Sequence, residues 1–323
     1  MVPEVHVGRP KAERERYVVS VIIPTYNRCP ILQKCLEHLA DQTLDPDTFE
    51  VIVVDDASTD DTARMIKELA VPYTLRYIPL SERTGPGGAR NVGIEAAQAD
   101  VIVFLDSDLI TAPQFLAAHA AVHREDPKRI GHGPIIYTTN FENPTATPMK
   151  LTDISRAYFC TCNVSIRKEH LVQVGMFDTD FKEYGWEDLE LGRRLRRLEL
   201  TAVPVPEAKG WHFKYPLRLE QLPRLIEQER QRARTAWIYY QKHPEAGVRA
   251  SIELMPFIFR LDKLLSLRGW TDKPSTLAYL QRLEQAGKRG RLRFLVRLIT
   301  HHAYMEELRR VIPHDHQARK YVR

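Results

Sequence analysis

Short apolar runs recur along the first third of the chain, separated by segments with the periodicity of amphipathic helices. Residues 18–23, 49–54, 73–78 and 101–105 are predicted to be buried strands. Residues 31–40, 58–69 and 89–98 are predicted to be the intervening helices. This alternation indicates an α/β fold with a mainly parallel sheet flanked by helices, in which ligands bind beyond the carboxyl ends of the strands.

From about residue 126 onward the sequence pattern changes, which indicates further divisions of the chain. Glycine and proline between about residues 126 and 157 predict loops and a β-ribbon. A strand at 163–167, helices at 169–174 and 187–198, and a strand leading to Trp211 and His212 are expected to follow. From Pro216 the composition shifts to helix formers, with one long helix over 222–242. We therefore expect a mobile arm (1–16), an α/β domain (17–215) and a helical C-terminal extension (216–323).

Composition and charge restrict where the protein is expected to act. The 323 residues carry a net charge of +5, and no apolar run is long enough to span a bilayer or resembles a signal peptide. We expect a cytoplasmic protein with no nucleic-acid partner. The basic segment 288–297 is interpreted as a solvated helix surface, with peripheral contact at the inner membrane face as the alternative. The sequence is compatible with an oligomer and does not indicate the oligomeric state.

The four cysteines do not form a pattern typical of a secreted disulfide framework, so we expect reduced thiols. Cys160 and Cys162 are separated by one residue, which is closer than the usual spacing of zinc ligands. A structural zinc site is therefore not the favoured interpretation.

Acidic residues follow two of the predicted strands. Asp55 and Asp56 close the second, and Asp106 and Asp108 follow the fourth. Carboxylates at this edge are suited to accept from a ribose hydroxyl and to ligate a hard divalent ion. The alternative is that these aspartates only begin turns or cap helices.

A glycine-rich run at 85–88 precedes Arg90 but does not follow the first strand, where a dinucleotide-binding fingerprint belongs. We interpret the run as a loop close to a donor, with Arg90 near phosphate or the acidic cluster. An ordinary turn, with Arg90 paired to a core carboxylate, is equally compatible with the sequence.

A second acidic centre lies at the start of a predicted helix. Glu187 and Asp188 suit the positive end of a helix dipole, which is the simplest explanation for them. Trp186 precedes them and offers a platform for a sugar ring, beside which a carboxylate can act as a general base. His212 is either a core histidine or a ligand that completes a metal site with Asp108.

Together these motifs resemble the family 2 inverting glycosyltransferases of GT-A fold. The resemblance rests on 21–28, 53–60, 89–93 and 104–108, in the family's order, and it covers about residues 17–215. The segments 163–167, 174–178 and 185–191 are similar to the galactosyltransferase-like C-terminal half of such enzymes. The resemblance implies a donor half at 17–110 and an acceptor half at 150–215.

The resemblance also implies site residues. Asp56 would hold the base, Asp106 the ribose, and Asp108 and His212 a divalent metal, either Mn²⁺ or Mg²⁺. Asp188 would deprotonate the acceptor, with Glu187 steering the acceptor hydroxyls. The other residues expected around the donor nucleotide are Pro24, Thr25, Tyr26, Arg28, Gly88, Arg90 and Ser107. Those expected around the acceptor or sugar are Trp186, Tyr184 and Asn163.

The implied activity is transfer of a sugar from a nucleotide diphosphate donor, with UDP-sugars favoured, to a hydroxyl of a carbohydrate or glycoconjugate. Cys160 and Cys162 stand where the family often has small residues near the donor sugar, so we expect a narrower sugar pocket. Two alternatives stay open at this point: a nucleotidyltransferase of sugar phosphates, and a non-catalytic carbohydrate-binding or scaffold protein.

Overall fold

The computed structural model describes residues 5–7, 17–153 and 157–312. The chain divides into two compact units: residues 1–182 with 187–215, and residues 183–186 with 216–323. In the described part of the chain, no helix combines the length and the apolar character required to cross a membrane.

The first unit is built on an eight-stranded sheet with the order β1-β4-β3-β2-β5-β9-β7-β10. Strands β2 to β5 run parallel to one another, whereas β1 and β9 are antiparallel to their neighbours. The strands of this sheet are β1 (Val5–Val7), β2 (Val19–Thr25), β3 (Phe49–Asp55), β4 (Thr74–Pro79), β5 (Val101–Leu105), β7 (Arg129–His132), β9 (Asn163–Arg167) and β10 (Thr201–Pro204). The predicted mainly parallel α/β sheet is confirmed.

Helices cover the central strands of this sheet. β3 has only buried residues, as its uninterrupted apolar pattern predicts. Two separate apolar clusters form, one from odd-numbered β2 positions such as Val21 and one containing Ile22, because successive side chains point to opposite faces. The helices of this unit are α1 (Cys29–Leu39), α2 (Thr62–Glu68), α3 (Gly85–Ala96), α4 (Phe115–Glu125), α5 (Lys168–Gln173) and α6 (Glu187–Leu195).

A small second sheet comprises β6 (Leu109–Thr111), β8 (Ile135–Thr138) and β11 (Gly210–Phe213), with β11 in the middle. The expected β-ribbon between 126 and 157 is wrong, because β7 joins the large sheet and β8 pairs in parallel with β11. The antiparallel register of β11 with β6 sets His212 opposite Leu109. This pairing brings His212 close to residues 106–108, which connect β5 to β6.

Two further local predictions differ from the structure. The glycine run at 85–88 is the first turn of α3 rather than a loop, and Gly85 adopts φ +81°, which glycine tolerates without strain. Val5–Val7, within the predicted mobile arm, form strand β1 against β4. The rest of the predicted arm lies outside the described residues.

The second unit is helical. Its core contains Leu222, Leu283 and Val296, and α7 packs along α11. Its helices are α7 (Leu222–Lys242), α8 (Ala246–Ser251), α9 (Pro256–Leu265), α10 (Pro274–Gln285) and α11 (Arg289–Val311). The prediction of one helix over 222–242 is confirmed.

Candidate active site

The loops that follow β2, β3 and β5 emerge at one edge of the large sheet, because parallel strands share the position of their carboxyl ends. Asn27 links two of these loops. The side-chain oxygen of Asn27 accepts from the backbone N–H of Thr59 at 2.8 Å. The backbone N–H of Asn27 donates to the Ser58 hydroxyl at 2.9 Å. The φ of +51° at Asn27 is one that asparagine tolerates better than most residues.

Asp55 and Asp56 are both buried after β3 and bind different partners. Asp55 accepts from the Tyr77 hydroxyl at 2.6 Å and from the Ser58 N–H at 2.9 Å. Asp56 accepts from the backbone N–H groups of Thr84 at 2.6 Å and Gly85 at 3.1 Å. Asp56, the residue expected to hold the base, therefore fastens the start of α3 to the end of β3.

The expected donor loop lies directly after β2. Pro24 and Thr25 are the last residues of the strand, and the Thr25 hydroxyl is buried with no hydrogen-bond partner among the described residues. The guanidinium of Arg83 lies 3.8 Å from the ring centroid of Tyr26, a cation–π distance. Tyr26 thus presents one aromatic face to a cation at this edge.

Asp108 lies at the centre of a cationic group. It is buried and bonds the Arg28 guanidinium through Oδ2, while Oδ1 lies 2.8 Å from Nε2 of His212. The Lys214 ammonium lies 3.7 Å from Oδ2. Burial alone would raise the pKa of Asp108, but the hydrogen bond from His212 and the charges of Arg28 and Lys214 hold it far below its usual value. Asp108 is therefore a carboxylate at any ordinary pH.

A possible metal site lies beside this group. One ligand atom from each of Asp106, Cys162 and His212 falls within 4.8 Å of the others. Carboxylate, thiol and imidazole groups are all metal ligands, so the donor set fits a divalent cation. Of the two predicted ligands, His212 belongs to this set, whereas Asp108 contacts His212 from the other side of its ring.

Arg90 connects the two acidic centres. Its guanidinium donates to Asp106 at 3.1 Å and to Glu187 at 3.1 Å, and its side chain is only 5% exposed. The sequence left two positions for Arg90 open, and the structure has features of both, since Arg90 pairs with Asp106 of the acidic cluster and with the buried carboxylate of Glu187. The start of α6 is thereby tied to the end of β5.

Asp188 differs from its acidic neighbours. It is partly buried, and among the described residues its carboxylate accepts a hydrogen bond only from the N–H of Leu189, at 2.7 Å. Burial and the charge of Glu187 raise the pKa of Asp188 to about 7, although Arg90 opposes the shift. A carboxylate with this pKa is suited to accept a proton near neutral pH.

The remaining predicted site residues occupy different surroundings. Ser107 is buried next to Asp108, and a Cβ on Gly88 would lie 2.7 Å from Cβ of Thr84. Asn163 is fully enclosed, donating to Pro134 at 3.0 Å and to Ala208 at 2.9 Å. Its environment is that of a residue that holds β9 in place.

Trp186 and Tyr184 belong to the second unit. The Trp186 indole is 8% exposed, donates to the carbonyl of Arg232 at 2.9 Å and stacks on Tyr239. Tyr184 is 48% exposed, and its carbonyl accepts from the Thr235 hydroxyl at 3.1 Å. The indole N–H of Trp186 therefore already has a hydrogen-bond acceptor in the second unit.

Two contacts of His212 were not predicted. Lys214 lies 2.7 Å from Nε2 of His212, and the Cys162 thiol lies 3.4 Å from Nδ1 of the same ring. Alternation along β11 carried a signal for Lys214, since residues two apart share a face. The sequence placed Cys162 near the donor sugar but gave no signal for its contact with His212, because that distance depends on pairings between distant strands.

Comparison with known proteins adds to this geometry. Residues 20–178 match the model of glycosyl transferase family 2. A validoxylamine A glucosyltransferase of Streptomyces hygroscopicus subsp. limoneus is 32% identical over 252 residues, which is 64% of this chain and 55% of the relative. The chain thus spans about half the length of the relatives of this kind that it matches, 55% and 54% in two cases.

Solved structures share the fold at low sequence identity. A mannosyltransferase from Pyrobaculum calidifontis, in complex with GDP-Man and Mn²⁺, has a TM-score of 0.56 and 19% identity, covering 91% of this chain and 88% of its own. S. aureus TarS 1–349 in complex with UDP has a TM-score of 0.51 and 20% identity, covering 90% of both chains. These likenesses support the GT-A fold.

Proposed function

We propose that this chain, in which residues 20–178 match the model of glycosyl transferase family 2, transfers a sugar from a nucleoside diphosphate sugar to an acceptor hydroxyl with inversion of configuration. One observation carries the proposal: the Arg90 bridge sets the carboxylates after β5 beside Asp188 at the start of α6. This arrangement supports a donor site and a base that act at the same edge of the sheet.

The donor nucleotide would bind across the ends of β2, β3 and β5. Asp106 is 29% exposed and retains an accessible oxygen for the ribose, whereas Asp56 would reach the base next to the backbone groups it already holds. The proposed contacts of the nucleotide also include Pro24, Thr25, Tyr26, Arg28, Gly88, Arg90 and Ser107. We favour UDP as the donor nucleotide. Because proteins of similar fold have been solved with UDP and with GDP-Man, the test must include both nucleotides.

A divalent cation would be held at His212, together with the acidic residues after β5. When bound, such an ion neutralises charge on the departing diphosphate. Asp108 and Lys214 fix the orientation of the imidazole from its Nε2 side. Arg90 adds a fixed positive charge next to Asp106.

Asp188 would act as the base. Its carboxylate takes the proton of the acceptor hydroxyl while that oxygen attacks the anomeric carbon, and the bond from this carbon to the diphosphate oxygen breaks. The attack comes from the face opposite the leaving group, so the anomeric configuration inverts. Glu187, held by Arg90, would steer the acceptor. Trp186, Tyr184 and Asn163 stay predictions for contacts with acceptor or sugar.

The test is transfer from UDP-hexoses and GDP-hexoses to a panel of glycosides, with the anomeric configuration of the product read by NMR. We expect transfer from one nucleotide class with inversion. Asp188→Asn should lower kcat by about 10²–10⁴-fold while nucleotide binding is kept. A product that retains the donor's configuration would contradict the role of Asp188, and absence of transfer from any donor would contradict the activity.

We also propose peripheral membrane contact through the second unit. Helix α9 exposes Phe257, Leu261 and Leu264 on one side, and Arg260 and Lys263 are exposed on the same helix. An exposed apolar stripe with cations is typical of helices that lie in an anionic lipid surface. Sedimentation with anionic vesicles should fall in Phe257→Ser/Leu264→Ser; equal sedimentation of this variant, or none by the wild type, would overturn the contact.

A further inference from the structure

A cavity in the second unit has no role in the proposed transfer. Its volume is about 400 Å³, and it lies where the 3₁₀ segment Leu267–Asp272 meets the helices α10 and α11. The residues that line it are Trp270, Ser275, Thr276, Tyr279 and Leu295. Sites for small molecules typically have volumes of about 300–1,000 Å³, so this cavity is large enough for a ligand the size of one sugar residue.

Trp270 is held in place at this cavity by two hydrogen bonds. Its indole N–H donates to the carbonyl of Leu265 at 2.6 Å, and its own carbonyl accepts from the Thr276 hydroxyl at 2.5 Å. The Trp270 side chain is only partly buried, so part of it stays accessible to a ligand. A side chain that is already ordered loses little conformational entropy when a ligand packs on it.

Tyr279 and Ser275 add polar groups to the same cavity. Tyr279 is 46% exposed, and Ser275 is exposed as well. Neither hydroxyl has a hydrogen-bond partner among the described residues. Aromatic rings offer an apolar surface to the C–H groups of a sugar, and hydroxyls can donate to and accept from its OH groups. This mixture of groups favours a saccharide over a purely apolar ligand.

Two arginines lie beside the cavity. Arg282 follows Tyr279 by three residues on α10, and Arg291 precedes Leu295 by four residues on α11. Each arginine therefore shares a helix face with a residue that lines the cavity. Both are exposed, and neither forms an ion pair within the part of the chain that the structure describes. A ligand that carries a negative charge next to its ring would complement them.

The shape of the cavity distinguishes it from a lipid-binding surface and from a nucleic-acid groove. The exposed stripe on α9 projects from its helix, which suits insertion into lipid, whereas Trp270 and Tyr279 line a recess. Single-stranded nucleic acid binds along grooves in which successive bases stack on several aromatic side chains. Here both aromatic residues belong to one cavity, which favours a single ring as the ligand.

We propose that the second unit has a binding site for an anionic saccharide. Trp270 and Tyr279 pack on a sugar ring, and the saccharide's phosphate or carboxylate group pairs with Arg282 and Arg291. None of these residues belongs to the proposed donor site, so the proposal goes beyond the transfer reaction. It also gives a ligand to Arg291, which lies in the basic segment 288–297.

The test is binding of the full-length chain to an array of neutral, uronate-containing and phosphorylated oligosaccharides, followed by calorimetry with the tightest ligand. We expect anionic oligosaccharides to bind more tightly than neutral ones. Tyr279→Ala should weaken this binding on the order of tenfold. Phe294→Ala is the matched control and should leave binding unchanged, because Phe294 is an exposed aromatic residue of α11 that does not line the cavity. Circular dichroism checks that the variants fold.

Two charge variants separate a specific site from general attraction to a basic surface. Arg282→Ala/Arg291→Ala and Arg289→Ala/Arg293→Ala remove the same net charge, but only the first pair shares helix faces with the lining residues. We expect binding to weaken on the order of tenfold or more in the first variant and to change little in the second.

Three results would overturn the proposal: equal losses in the two charge variants, unchanged binding in Tyr279→Ala, or no binding of any oligosaccharide by the folded chain. Anionic vesicles and a single-stranded oligothymidylate are tested in parallel. Binding to either of them that is lost in Tyr279→Ala would assign the cavity to another class of ligand and overturn the proposal as well. Sugar transfer is not measured, so the result is independent of the proposed function.

Discussion

Asp188 is the residue on which the proposed chemistry depends, because its pKa is raised to about 7 by burial and by the charge of Glu187. Only the carboxylate form accepts a proton, so kcat/KM should fall about tenfold per pH unit below pH 7. A pH–rate profile of the wild type should show this acid limb, and Asp188→Asn should remove it. An unchanged limb in Asp188→Asn would assign the base to another residue.

Glu187 provides an independent check on the same residue. Its negative charge is a cause of the raised pKa of Asp188, so Glu187→Gln should move the acid limb to lower pH. Glu190→Gln is a matched control, because Glu190 lies one turn along α6 and is paired with Arg194. A limb that does not move in Glu187→Gln would mean that Glu187 does not set the pKa of the base.

At the scale of elements, Arg90 ties α3 to α6 and to the end of β5. Its guanidinium is buried between Asp106 and Glu187, and removal leaves Glu187 without its cation in a buried position. We expect Arg90→Ala to lower the free energy of unfolding by about 3 kcal/mol, as urea denaturation would measure. Arg64→Ala, at an exposed pair with Asp61, should cost much less, and equal losses would contradict a structural role for the bridge.

Helix α4 and strand β9 share buried histidines that make the fold sensitive to acid. Burial lowers the pKa of His119 to about 4 and that of His123 to about 3, and the Ser165 hydroxyl lies 2.9 Å from both rings. In the unfolded chain these imidazoles take up protons near pH 6.5. The unfolded state therefore binds more protons between pH 6.5 and 4, and stability is lost as the pH falls through this range.

The loss should approach about 1.4 kcal/mol per pH unit for each histidine, as urea denaturation at several pH values would measure. His123→Gln should make this dependence shallower, whatever its effect at pH 7. His38→Gln is the control, because His38 lies on α1 and hydrogen-bonds within its own helix. An unchanged slope in His123→Gln would contradict the assignment.

Elements with a strong local pattern were predictable from sequence. Strand β5 and the long helix α7 begin and end where the periodicity indicates, since each buries a continuous apolar face. The start of α3 was misjudged because glycine and proline favour loops, whereas here Asp56 accepts from the N–H of Gly85 and stabilises the first turn. Local propensity could not reveal a partner from another loop.

For the whole molecule, the sequence located the acidic edge of the sheet but not how its residues pair. Asp106 and Asp108 were expected there from strand order alone. The meeting of Cys162 with His212 depends on β9 pairing with β5 and on β11 pairing with β6, which are contacts between segments far apart in sequence. Periodicity carries no information about such registers.

The metal-assisted nucleotide site is the central claim at this scale. Titration calorimetry of UDP, and then GDP, with and without Mn²⁺ tests it most directly, using Asp108→Asn and the exposed Asp41→Ala as matched variants. We expect one nucleotide to bind only with the metal, with affinity reduced on the order of tenfold or more in Asp108→Asn and unchanged in Asp41→Ala. Metal-independent binding, or no binding of either nucleotide by the folded protein, would contradict the account.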